Sequence, residues 1–390
     1  MAALTGNWNY PTAIRFGAGR IAELADACRT IGIARPLLVT DRGLAATPMI
    51  AQAQAALAAT GLDAALFSDI AGDPTGANVT AGGEALRAHR ADGVIAFGGG
   101  SALDAGKAVA FATFQDRPLW DFEDVGDNFR RADPAKILPV VAVPTTAGTG
   151  SEVGRASVIK DEAARLKRII FHPAMLPRLV IADPALTVGL PPAVTAAVGM
   201  DALSHNLEAY FAPGFHPLAR GIAVEGARLV RDWLALAVAD GTNLEARSHM
   251  LAAAEAGATA FQRGLGAMHA LAHPLGALYG VHHGLLNAIL MPYVIVANRP
   301  AIDGDAADLA RMLGLGASAD DLLAWILALR REIGIPATLA EAGVPGDEVA
   351  RIARMAVEDP SAATNPVAFT AADYAAILQR ALAGDLRASD

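Results

Sequence analysis

The sequence predicts an α/β N-terminal domain with a doubly wound, mostly parallel, Rossmann-like sheet, followed by an all-α C-terminal domain. Two observations carry this. Short β-rich runs alternate with Ala- and Leu-rich helical runs up to Pro184, and beyond it only long apolar helical segments remain, punctuated by Pro and Gly. At 390 residues the chain is also too long for one ordinary core. The break is expected near residue 185, giving an α/β domain over 1–185 and a helical domain over 186–390.

Four segments read as parallel strands buried on both faces, because each is a continuous apolar run: 35–41 (RPLLVTD), 92–97 (DGVIAF), 137–143 (ILPVVAV) and 178–183 (RLVIAD). Residues 13–16 make a weaker strand. Between them, 20–32 and 49–61 have helical spacing. In the second half, Pro191-Pro192, Gly214, Pro217, Gly241, Pro292 and Pro300 divide the helices. Residues 264–298 lack Asp, Glu, Lys and Arg altogether, but contain four His and two Pro, which are costly in lipid. They read as a buried helix pair.

Composition narrows the function. The balance of 31 basic against 40 acidic residues gives a net charge of −9, which argues against a nucleic-acid footprint. With 53% hydrophobic and 18% charged residues the chain is core-rich. A single cysteine, Cys28, excludes an intramolecular disulfide and a zinc–thiolate cluster, so metal chemistry must use His and carboxylates. Residues 1–11 lack the basic and apolar regions of a signal peptide, and the expected compartment is the cytoplasm.

Two glycine loops compete for a dinucleotide. Gly17-Ala-Gly19-Arg-Ile-Ala22 fits G-x-G-x-x-G/A, with Asp41 near the place of a ribose-binding acid. Gly98-Gly99-Gly100-Ser101 directly follows a clear strand and opens a helix carrying Asp104 and Lys107. It is the stronger candidate, since three glycines let backbone N–H groups reach a pyrophosphate at a helix N-terminus. A third polar loop, 144–152 (PTTAGTGSE), also follows a buried strand. Asp41 at a strand end suits ribose hydroxyls and repels a 2′-phosphate, favouring NAD over NADP.

Five of the nine histidines form a pattern. Asp201 and His205 are spaced i, i+4, as are His269 and His273, and His282-His283 follows shortly after. Such groups in charge-poor surroundings need a reason to be buried, and a divalent cation supplies one. Imidazoles with a carboxylate suit iron(II) or zinc. His89, His172, His216 and His249 fall outside the pattern.

From about Arg15 to Arg380 the chain resembles the iron-containing alcohol dehydrogenase family, in particular its lactaldehyde reductase and 1,3-propanediol dehydrogenase types. The motifs are 16–19 (FGAG), 98–107 (GGGSALDAGK), 144–153 (PTTAGTGSEV), 199–205 (GMDALSH), Gly266-x-x-His-x-x-Ala-His-x-x-Gly276 and 364–366 (TNP). The resemblance implies a dehydroquinate synthase-like architecture. It implies that Asp201, His205, His269 and His283 bind the metal, with Fe(II) favoured over Zn(II), while His273 is a near neighbour. It makes the 17–19 loop a decoy and gives the pyrophosphate to Gly98, Gly99, Gly100 and Ser101. Asp41, Asp73, Asp104, Thr145, Thr146, Thr149, Lys167, Leu186 and Leu190 match cofactor-contact positions. The chain departs from the family pattern at His282, where Pro is usual, at Asp73, where Asn is usual, and at Arg263, ahead of the metal helix, where a small polar residue is usual.

The expected activity is reversible hydride transfer between a primary alcohol, or its aldehyde, and NAD, in the interdomain cleft of a homodimer. A metal Lewis acid stabilises alkoxide, and His273 relays the proton. Arg263 offers an anchor for an anionic substrate tail or, alternatively, a structural surface Arg; Trp120, Phe122 and Phe261 offer an apolar wall or core packing. The alternatives are an NAD- and metal-dependent lyase of the dehydroquinate synthase type, and a non-catalytic metal- or nucleotide-binding protein.

Overall fold

A computed structural model describes residues 12–386. They fall into two compact units that divide between Gly189 and Leu190.

The N-terminal unit is built on a six-stranded, fully parallel sheet. In chain order it carries β1 (Ala13–Phe16), α1 (Leu24–Thr30), β2 (Pro36–Val39), α2 (Arg42–Ala45), α3 (Pro48–Ala59), β3 (Ala65–Phe67), α4 (Gly76–His89), β4 (Gly93–Gly98), α5 (Gly100–Ala112), β5 (Val140–Pro144), β6 (Ala156–Asp161), β7 (Leu166–Phe171) and β8 (Leu179–Ala182). The sheet order is β1-β8-β5-β4-β2-β3. The four buried strands expected from sequence are β2, β4, β5 and β8, and the weaker run is edge strand β1. β6 and β7 form a separate antiparallel hairpin, and β3 is the other edge; neither was expected.

Period-two alternation assigns the two faces. Ile95, Phe97, Val141, Val143 and Ile181 pack with Leu24, Cys28, Ile50 and Leu57 of α1 and α3. Val94 and Ala96 face α5, which lies so close that a Cβ on Gly106 would stand 2.6 Å from that of Ala96. Asp183 closes the unit. Its buried carboxylate accepts from Gly19 N, Ile21 N and Ala185 N at 3.0–3.1 Å, tying the first glycine loop to the turn after β8.

The C-terminal unit is helical: α6 (Pro192–Phe211), α7 (Pro217–Ala239), α8 (Leu244–Ala260), α9 (Ala267–Tyr279), α10 (His283–Met312), α11 (Ala319–Glu332), α12 (Val349–Glu358) and α13 (Ala371–Ala383). α6 is its axis, buried from Thr195 to Phe211. Close approach to α6 depends on missing side chains. A Cβ on Gly257 of α8 would meet His205 Cβ at 2.9 Å, and one on Gly284 of α10 would meet Ala197 O at 2.4 Å. The charge-free stretch is α9 plus the first half of α10. α10 is long and apolar enough to cross a membrane by composition alone, but 67% of its apolar window is buried within the protein, as a core helix requires.

Candidate metal centre and cofactor loops

In the N-terminal unit the two glycine loops are chemically different. The backbone donors of 17–21 already hold an anion, the Asp183 carboxylate, so that loop is spent on structure. The second loop is not closed in this way. Gly98 sits at φ +148°, Gly99 is the N-cap of α5, and the helix has no side-chain cap, whereas α4, α11 and α13 each carry a capping box. The threonine loop stands against it: Thr145 N donates to Gly98 O at 3.0 Å, and a Cβ on Gly100 would meet Thr149 Cγ2 at 2.6 Å. Asp41 caps α2 by accepting from Leu44 N, and its Oδ2 would lie 3.5 Å from a Cβ on Gly98. Uncapped helix donors, a cradle that side chains would fill and an acid beside it fit a dinucleotide pyrophosphate and ribose.

Other predicted contacts have roles inside the protein. Asp104 accepts from Ser151 Oγ and from Val158 N, so it clamps α5 to the threonine loop and β6. Lys167 is paired with Asp73 at 2.9 Å. Leu186 packs on the sheet core, and Leu190 O accepts from the buried Arg247. Beneath the loop lie two buried charged groups, Lys107 and Glu152, to which the sequence reading gave no role. The Lys107 ammonium donates to Ser151 O and Ala156 O, and its charge is disfavoured by burial. Glu152 is buried with both carboxylate oxygens unpaired among the described residues, and burial pushes it up to about 7.

In the C-terminal unit, α6 presents Asp201, His205 and Glu208 on one face. α9 brings His269, and ligand atoms of Asp201, His205 and His269, all buried, lie within 4.8 Å of one another. The first turn of α10 brings His283 Nε2 to 3.7 Å from Asp201 Oδ1, while the adjacent His282 is exposed. His205 stacks on His269 with ring centroids 4.7 Å apart, and His283 on His273 at 5.3 Å.

The groups behind these imidazoles fix their orientation, and sequence reading missed all three of them. Glu208 Oε2 accepts from His269 Nδ1 at 2.6 Å, and Oε1 accepts from Met268 N at 2.7 Å. That puts the proton of His269 on Nδ1 and aims the Nε2 lone pair at Asp201 and His283. Burial opposes charge on His269, but Glu208 outweighs it and the imidazole is held above its ordinary range. Asp359 Oδ2 accepts from His273 Nδ1 at 2.7 Å; burial raises this carboxyl, but His273 and the Ser361 hydrogen bonds pull it below its usual range. Asn287, four residues after His283, directs Nδ2 into the cluster. The only sequence signals were spacings: Glu208 at i+3 from His205, and Asn287 at i+4 from His283.

The TNP motif seats α9. Asn365 Oδ1 accepts from Ala267 N, so α9 is capped by Asn365 and Glu208 from elsewhere, and a Cβ on Gly266 would stand 2.9 Å from both side chains. Arg263 lies at the C-terminal end of α6, with Nη1 on Ala209 O and Tyr210 O and Nε on Gly214 O. Phe261 stands edge-on to His205 at 5.3 Å. Phe122 is core, edge-on to Phe111, and Trp120 carries the Arg168 guanidinium. His172 and His216 are helix caps, His249 stacks on Trp233, and His89 bonds to Asp63 O.

A carboxylate and three imidazoles converging form a donor set that fits a divalent ion. Such a centre in a helical unit, together with a parallel-sheet unit bearing an open glycine loop, defines a metal- and dinucleotide-dependent enzyme. The chain belongs to the iron-containing alcohol dehydrogenase family. Residues 11–184 match the iron-containing alcohol dehydrogenase model, and 195–382 match the C-terminal model of the Fe-containing family. It is 39% identical to 4-hydroxybutyrate dehydrogenase of Cupriavidus necator, over 96% of this chain and 99% of that protein. The fold superposes on a crystal structure of 1,3-propanediol oxidoreductase with a TM-score of 0.91 at 35% identity, covering 96% and 99% of the two chains. It also superposes on sulfoacetaldehyde reductase from Bifidobacterium kashiwanohense in complex with NAD+, with a TM-score of 0.87 at 31% identity, covering 97% and 99%.

Proposed function

We propose that the protein is an NAD- and metal-dependent alcohol dehydrogenase that interconverts a small primary alcohol and its aldehyde. The observation that carries the reading is the convergence of Asp201, His205 and His269 within 4.8 Å, with His283 beside them. These four side chains hold the ion, with Fe(II) the expected metal. When bound, the ion would supply charge stabilisation at the alcohol oxygen and NAD would supply the hydride-accepting chemistry. Gly98–Ser101 bind the pyrophosphate and Asp41 the ribose. Glu208 keeps the proton of His269 on Nδ1, and Asp359 does the same for His273, leaving His273 Nε2 to receive the alcohol proton and pass it to solvent.

The family membership and the dehydrogenase relatives favour this reading over a lyase or a passive binding module. Two relatives, a 4-hydroxybutyrate dehydrogenase and a sulfoacetaldehyde reductase, are named for substrates with an anionic tail, which supports the same class here. The Arg263 guanidinium, with Nε and Nη1 engaged by carbonyls, serves instead as a cap for α6. A cytoplasmic homodimer is proposed with it, joined along edge strand β1, where Phe16 is exposed. The test is His269→Ala: metal content and alcohol-dependent NADH formation should vanish while NAD binding persists. A metal-free His269→Ala protein that still turns over would defeat the proposal.

A further inference from the structure

The amide of Asn287 reaches three of the four side chains of the proposed metal centre. Its Nδ2 lies 2.8 Å from Asp201 Oδ1, 3.2 Å from His269 Nε2 and 3.1 Å from His283 Nε2. These are three of the atoms assigned above to the ion, so the inference rests on that reading. The orientation of the amide is fixed by its neighbours. In the neutral ring His269 Nε2 accepts, because Nδ1–H is donated to Glu208. Turned over, the amide would set Oδ1 against a carboxylate oxygen and a ring lone pair, which repel it. The amide's two hydrogens go to Asp201 Oδ1 and His269 Nε2, with His283 Nε2 equally near. Meanwhile Asn287 Oδ1 is buried with no hydrogen-bond partner among the described residues. A side chain retained only for packing would not leave an oxygen unsatisfied in order to crowd its donor among acceptors.

We infer that Asn287 stands in for the ion, holding the centre assembled when no metal is bound and competing with metal for the same lone pairs. Without it, the Asp201 carboxylate and the His269 Nε2 lone pair would face one another in a buried site with no donor between them. On loading, the amide gives up these contacts. Asn287 is therefore a positioning residue that raises the stability of the metal-free protein and lowers its affinity for metal.

The two effects have opposite signs, which separates this role from ordinary packing. The experiment compares wild type, Asn287→Leu and Asn287→Asp, each stripped with chelator and then titrated with Co(II), followed by the visible absorption of the ion and by thermal melting. Asn287→Leu should melt several degrees lower when stripped and show a larger gain on Co(II) than wild type, with Co(II) bound at least as tightly. Asn287→Asp sets a second carboxylate against Asp201. It should be destabilised further when stripped, up to folding only with ion, and should bind Co(II) at least tenfold more tightly. Asn287→Ser, which leaves room for a water, carries the same comparison where a larger change prevents folding. Equal losses of melting temperature in stripped and loaded states, or weaker Co(II) binding by the variants, would overturn the inference. Failure of wild type itself to take up Co(II) would instead reject the metal reading on which it rests.

Discussion

Glu208 is the residue on which the geometry of His269 turns, and Glu208→Gln isolates its contribution. The carboxylate uses two acceptor oxygens for two donors, His269 Nδ1–H and Met268 N–H. Gln keeps the shape but offers one oxygen and an NH2. If the oxygen stays on His269, the NH2 faces Met268 N–H and leaves a buried backbone donor unsatisfied, at about 1–3 kcal/mol. If the oxygen turns to Met268, the NH2 faces His269 Nδ1, and the imidazole must move its proton to Nε2, where it can no longer accept a metal. Losing a carboxylate behind a ligating histidine typically weakens metal binding by about 10- to 100-fold. The variant is thus expected to bind Co(II) within that range more weakly than wild type in a chelator-competition titration. NAD affinity, measured in parallel, should hold within about twofold, since a metal-affinity effect of about 10- to 100-fold arises behind the ligand. Wild-type Co(II) affinity in Glu208→Gln would refute the argument that this hydrogen bond sets the tautomer.

Three further outcomes follow from the same structure. Asp183→Asn removes one acceptor from a carboxylate serving three backbone donors, so stability should fall by about 2 kcal/mol in denaturant melts with NAD affinity retained; a collapse of NAD affinity would return the cofactor to the 17–19 loop. Glu152, pushed up to about 7 from its ordinary 4.5, binds a proton more tightly folded than unfolded. Its contribution is therefore complete below pH 4.5 and is lost as pH rises through about 7, a fall on the order of 3 kcal/mol. Glu152→Gln should flatten that slope in melts across the range, and an unchanged slope would assign it to another group. Arg263→Ala should cost about 1–3 kcal/mol by uncapping α6, and kcat/KM for ethanol, 1,2-propanediol and 4-hydroxybutyrate should change by a common factor; selective loss of 4-hydroxybutyrate would restore Arg263 as a substrate anchor.

What the sequence made legible follows from burial. β2, β4, β5 and β8 lie in the interior of the sheet or next to its edge and are covered on both faces, so each is an unbroken apolar run. The β6–β7 hairpin is only half buried and interleaves Lys160, Lys167 and Arg168 with Ile159 and Ile170, which disguises it. β3 has three residues and too little pattern to read. At the candidate metal centre, the residues proposed as ligands stood out by type and spacing on α6 and α9. Their partners did not, because a helical Glu is unremarkable until His269, 61 positions away, is placed against it. Asp359 is 86 positions from His273. Asp183 shows why the first glycine loop misleads: its pattern does describe an anion site, and the anion is a side chain of the same protein.

Metal content and turnover measured on one preparation test the central claim most directly. The chain, purified anaerobically, should carry one divalent ion, and chelation should remove both the ion and alcohol-dependent NADH formation, with Fe(II) restoring both. Undiminished NADH formation by protein shown to be metal-free would contradict the account.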